Sequence, residues 1–179
     1  MSAPALVPLM CIQCQSPIPA KPDEVAWVCA TCGRGQILED EAGLQPLEFH
    51  FNAGLPANTP GKPVWAVEAQ VTLQRSTYRG NESGGMAAFW AGPRRFFIPA
   101  YELPLDVLVN YGLNAVRQPP LLAAPAAAPH PFIPVTVHRD DLAPLVEFIV
   151  VAIEAERKDM LKELVFEVQL GEAQLWVLA

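Results

Sequence analysis

Charge and aromaticity are both in short supply in this chain. Charged residues make up 17% of its 179 positions and aromatic residues 8%. Global disorder is nevertheless excluded, because 51% of the residues are hydrophobic and can build a core. The length suits one ordinary domain, or one domain with a small appendage. A long hydrophobic run is also missing. The longest stretch without a formal charge, Gln118–His138, contains six prolines and cannot be a membrane helix. Leu145–Ile153 is apolar for only nine residues and holds Glu147, so it reads as a core helix. The start, Met1–Met10, has no basic segment and carries two prolines, unlike a secretory signal. Basic residues are outnumbered, 12 against 19, for a net charge of −7. That balance argues against a nucleic-acid backbone as the main partner. Histidines number three, His50, His130 and His138, and they show no mutual ligand spacing.

Cysteine is equally sparse, yet its placement is informative. All four cysteines fall within the first 32 residues, as Cys11-Ile12-Gln13-Cys14 and Cys29-Ala30-Thr31-Cys32. A disulfide framework would spread them along the chain, so the pattern predicts a metal site in a reducing cytoplasm. Each pair forms a tight turn that points two sulfurs at one ion, and the residues between supply a hairpin. Four thiolates then complete a tetrahedral shell with no open position. Gly33 follows the second pair, where such a turn needs positive φ or a close backbone approach.

This C-x2-C-x14-C-x2-C module resembles the zinc-ribbon family over roughly the first 40 residues. The resemblance implies that Cys11, Cys14, Cys29 and Cys32 hold one structural Zn2+. Gln15 departs from the family pattern, which favours glycine after the first pair. A rubredoxin-like iron centre uses the same ligand set, but it favours proline and glycine where Ala30 and Gln15 stand. The least eventful reading is that zinc holds together an appendage too small to fold alone.

The remaining residues point to an α+β fold: a mainly antiparallel sheet with two helices. Residues 1–45 form the cysteine module and residues 46–179 the α+β domain, with a Pro/Ala-rich connection at 118–134. Val64–Arg79 alternates apolar and polar side chains and is a half-buried strand. A glycine-rich loop, Gly80–Gly85, follows it. Arg95–Tyr101 is a second strand, limited by Pro99 to an edge or an end. Leu105–Val116 shows helical spacing, as does the stretch from Leu142 to about Leu161, with Asp140 or Asp141 as its cap. Glu154 and Lys158 are read as a surface i,i+4 pair. Two alternating runs around Gly171-Glu172 predict a closing hairpin. Phe97-Ile98-Pro99 and Phe132-Ile133-Pro134 echo one another, with Trp65 and Trp176 as a second candidate match. That echo raises an internal pseudo-repeat.

No catalytic set emerges. Ser83-Gly84-Gly85 has neither the base nor the fold that a serine nucleophile needs. His138-Arg139-Asp140 lacks the other parts of a kinase site. Residues 49–101 are the only net-basic segment, at +3. Within it Phe89, Trp90, Arg94 and Arg95 combine anchor-type side chains with charge, as protein interfaces do. The resulting expectation is a cytoplasmic, non-enzymatic adaptor or accessory subunit with a protein partner. The alternatives are a nucleic-acid-binding or transcription-associated ribbon protein and an electron carrier.

Overall fold

The computed structural model describes residues 9–123 and 129–179. Its elements in chain order are β1 (Ala26–Val28), β2 (Gly35–Glu39), β3 (Gly43–Pro46), β4 (Phe49–Phe51), β5 (Lys62–Arg79), α1 (Ser83–Phe89), β6 (Arg94–Pro99), α2 (Leu105–Arg117), a 3-10 turn (Arg139–Asp141), α3 (Leu142–Ala155) and β7 (Met160–Leu178). The fold is α+β. An antiparallel sheet β1-β2-β3 carries the cysteine module, and a four-stranded sheet runs β4-β7-β5-β6. Its pairings are antiparallel apart from β4 with β7, which run parallel. Among the described residues no helix is long and apolar enough to cross a membrane.

Alternation in β5 places Trp65, Val67, Ala69 and Val71 on the inner face, where α2 and α3 cover the sheet. Phe96 and Ile98 of β6 and Leu175 of β7 join them. The helices approach one another closely at Gly112 of α2. A Cβ there would run into the Ile149 side chain of α3, which would have to shift to admit it. Trp65, fully buried, donates its indole N–H to the Val137 carbonyl at 2.8 Å.

The cysteine module shares this core. Ala26 and Ile37, from β1 and β2, belong to the same buried cluster as Val135, Leu142 and Val146. Val25 donates its backbone N–H to Val135 at 2.9 Å, and Leu38 donates to Val25 at 2.8 Å. The cysteine module is therefore joined to the body by apolar contact and by the Val25–Val135 backbone bond.

Several local expectations are corrected. The glycine-rich stretch after β5 contains a short third helix, α1, whose Met86 and Phe89 reach the core. The long helix stops at Ala155, because Arg157 and Asp159 turn inward to bond Glu154 and Arg75. Gly171-Glu172 is a bulge opposite Glu68 inside the continuous strand β7, in place of a hairpin turn. Asp141 holds the N-cap position of α3, as expected, but makes no side-chain cap bond; the 3-10 turn before it is capped by His138, which accepts from Asp140 N–H. The Phe-Ile-Pro echo falls on unlike structure: Phe97–Pro99 lies in β6, whereas Phe132 makes a single bridge to Gly61. Trp65 and Trp176 sit in adjacent registers of β5 and β7. Of the Pro/Ala connection, residues 124–128 lie outside the described residues, as do residues 1–8 at the start.

Candidate metal centre

The two cysteine turns are built alike. Cys11 N–H donates to Ser16 O at 2.9 Å, and Cys29 N–H donates to Arg34 O at 2.9 Å. Within them Gln15 N–H returns to Cys11 O and Gly33 N–H to Cys29 O, so each chain reversal is locked from inside. β1 leads straight into Cys29, which brings the second turn opposite the first. The four Sγ atoms all lie within 4.8 Å of one another. Cys11 and Cys32 approach to 3.6 Å, and Cys14 and Cys29 likewise to 3.6 Å. Four sulfurs at ~2.3 Å from a tetrahedral metal stand ~3.8 Å apart, so the spacing fits one ion and is far too long for disulfide bonds. The sequence expectation and the geometry agree on a four-cysteine metal site.

Electrostatics within the cluster divide the thiols. Hydrogen bonds from the Ser16 side chain and backbone N–H bring Cys14 down to about 6. Cys11 is also lowered, by the backbone N–H groups of Cys14 and Gln13. Cys32 receives a lowering bond from the Arg34 N–H, but burial and its three thiol neighbours push it up to about 12. Negative charge on the first thiols makes the last hard to ionise. A cation resolves that conflict by displacing the remaining protons.

Gln36 of β2, fully buried beside the first turn, escaped the sequence reading. Its Oε1 accepts the Ile12 N–H at 3.1 Å, which pins the loop between Cys11 and Cys14. Nothing in a strand pattern marks a glutamine as inward-facing beside a metal turn. Glu24 makes a matching clamp before β1, accepting from Trp27 Nε1 at 2.8 Å and Lys21 N–H at 3.0 Å.

A second group, Glu39, His138 and Asp140, also brings potential ligands together. The carboxylates approach opposite ring nitrogens: Glu39 lies 3.5 Å from Nε2, and Asp140 lies 3.3 Å from Nδ1. Arg139 also pairs with Glu39. With Glu39 also held by Arg139, these side chains form a clasp between β2 and the 3-10 turn.

The aromatic-arginine segment is partly withdrawn from the surface. Trp90 is 5% exposed, stacks near Phe96 and donates its indole N–H to Glu154 at 2.8 Å. The expectation that Trp90 anchors a partner is corrected, because its polar atom is satisfied internally and its ring fills the core. Phe89 is half-buried. The Arg94 guanidinium lies 4.3 Å from its ring centroid and donates to its carbonyl at 2.8 Å. Arg95 is exposed and pairs with Glu68.

Glu154, expected on the surface with Lys158, is 1% exposed. It accepts from Trp90 and Arg157, and it faces the Arg75 guanidinium at 3.5 Å. Arg75, whose side chain is fully buried, reaches Asp159 at 2.6 Å, and Asp159 also accepts the Glu82 N–H. Two cations and two carboxylates thus balance within one cluster that joins β5, α1 and the end of α3. The histidines do not converge: His50 stacks on Trp176 at 4.9 Å, and His130 contacts the Thr59 carbonyl. No protein-family model matches the chain, and comparison with curated proteins and with solved structures finds no match.

Proposed function

We propose that this chain is a non-enzymatic adaptor or accessory subunit whose single zinc ion is structural. The observation that carries this reading is the completeness of the four-cysteine set, with sulfur spacing near a tetrahedral edge. Four protein thiolates leave a bound zinc no position for water or substrate, so its contribution is folding energy. A protein partner accords with the charge better than nucleic acid does. The chain carries −7 overall, and residues 1–48 carry −4 around the metal turns. Arg95, with Phe89 and Arg94 beside it, remains at the surface as the basic element of a contact; Trp90 serves the core behind it.

The test has two parts. Elemental analysis of the purified chain is expected to give one zinc per chain, and stoichiometric iron would favour the electron carrier. Tagged protein captured from its native cell is expected to bring down a stoichiometric protein that rebinds when both are purified. Tight, salt-resistant binding of DNA or RNA in its place would overturn the adaptor reading.

A further inference from the structure

β5 and β7 extend well past their neighbours. β6 accompanies β5 only from Val64 to Ala69, and β4 accompanies β7 only from Leu175 to Val177. Beyond those points the two long strands continue as a ribbon to Arg79 and Met160. Its two sides differ. The chain returns from the tip of β5 to Arg94, opposite Ala69, through the segment that carries α1, so that segment runs beside β5. Along β7, among the described residues, no strand pairs with the outer edge from Met160 to Gln174.

Exposed edges are normally blunted by proline, by short length or by bulges. β7 contains no proline. Its irregularities lie at Lys162 and at Gly171-Glu172, and they bound a regular run, Glu163–Leu170. Leu164, Phe166, Val168 and Leu170 share the inner face with Val71 and Leu73, yet all four are only half-buried. An apolar stripe therefore reaches a strand edge that, among the described residues, no other strand pairs.

We propose that this edge is a homodimer interface. Two copies pair antiparallel through Glu163–Gln169 around a two-fold axis at Phe166, merging their four-stranded sheets into one. The register follows from charge. Directly opposed residues share a face, so each register is centred on one residue. Two registers use the regular run most fully, those centred on Phe166 and on Glu167. The second sets Glu167 against its own copy, and like charges directly opposed destabilise a sheet. The first sets Phe166 against Phe166, Leu164 against Val168, Val165 against Glu167 and Glu163 against Gln169. Apolar side chains then meet on the inner face, and no carboxylate directly opposes another.

The register makes a charge-specific test possible at Val165, which is 61% exposed on the outer face. Full-length, metal-loaded protein is examined by sedimentation equilibrium, with circular dichroism as the check on folding. Wild type is expected to dimerise reversibly. Val165→Glu faces Glu167 of the other copy twice per dimer and should raise the dissociation constant roughly tenfold. Val165→Lys loses the same apolar side chain but meets that carboxylate favourably, so it should dimerise at least as well as wild type. If Val165→Glu misfolds, Gln169→Glu and Gln169→Lys repeat the contrast against Glu163. A wild-type mass that stays monomeric up to the solubility limit overturns the proposal. Equal weakening by both charges, or no response to either, overturns it as well.

Discussion

Gln15 and Gly33 occupy the same place in the two cysteine turns, with φ of 59° and 73°. Each donates its N–H to the carbonyl of the first cysteine of its turn, at 3.1 Å for Gln15 and 2.8 Å for Gly33. The left-handed backbone comes freely to glycine and costs a residue with a Cβ ~1–2 kcal/mol. Gln15→Gly should therefore stabilise the metal-loaded protein by about 1 kcal/mol, and Gly33→Gln should destabilise it similarly. Chemical denaturation of both variants measures this. A destabilising Gln15→Gly would show that the glutamine side chain matters more than its backbone.

Loss of the metal should be felt beyond the cysteine turns, because Ala26 and Ile37 share the main apolar cluster with Val135 and Val146. Chelation, or Cys29→Ser, is expected to lower the thermal midpoint of the whole chain and to speed amide exchange at Val25, which donates to Val135, and at Thr136, which donates to Ala100. Exchange that rises only within residues 9–46 would mean that the ribbon opens independently.

Glu154 is the keystone of the buried charge cluster. Glu154→Ala leaves Arg75 buried without that carboxylate and leaves the Trp90 N–H unmatched. The expected cost is about 3–5 kcal/mol. Trp90→Ala should cost a similar ~3–5 kcal/mol through lost packing. Equilibrium unfolding decides both. A loss below about 0.5 kcal/mol, as at surface sites, would place the cluster in water.

The contact between α2 and α3 rests on Gly112 and Ile149. Ile149→Ala should cost about 2–5 kcal/mol as a buried large-to-small change. Gly112→Ala should destabilise as well, although alanine is the better helix former, because its methyl meets the Ile149 side chain. A more stable Gly112→Ala protein would show that the helices can part without penalty.

Acid should weaken the fold partly through Asp159. Burial raises this carboxyl, but the Glu82 N–H and Arg75 outweigh it and hold it below its ordinary value. A depressed native value means stability that is present above the unfolded pKa and is lost as pH falls through the folded one. Asp159→Asn should flatten the decline in thermal midpoint below about pH 4. An unchanged slope would assign acid sensitivity to other carboxylates.

The sequence revealed features with a strong local cause. Two cysteine pairs dictate a metal turn wherever they sit, and the alternation in Val64–Arg79 and the helical spacing of Leu105–Val116 identified β5 and α2. It misled where a long-range partner decides the outcome. Glycines at Gly80–Gly85 suggested only a loop, but Met86 and Phe89 find core contacts that hold α1. Gly171-Glu172 carries turn chemistry, yet the β5 register opposite turns it into a bulge. Glu154 four residues before Lys158 matched a surface pair, because nothing local announces Arg75 some eighty positions earlier. Trp90 beside two arginines looked like an interface anchor for the same reason: its true partner, Glu154, is distant in the chain.

β7 lies between β4 and β5, so these earlier strands have no shared neighbour until it arrives. Trp65 and Leu175, paired across β5 and β7, stand on the order of a hundred positions apart. Closing so long a loop before the sheet yields any return makes folding slow compared with that of a helical bundle. During synthesis the metal turns can form at once, since all four ligands lie close together in sequence, while β5 emerges with Trp65, Val67 and Val71 uncovered. The metal-binding end would then be ordered long before the sheet. A chaperone that shields β5 in that interval would be protecting the strand on which β6 and β7 later pair.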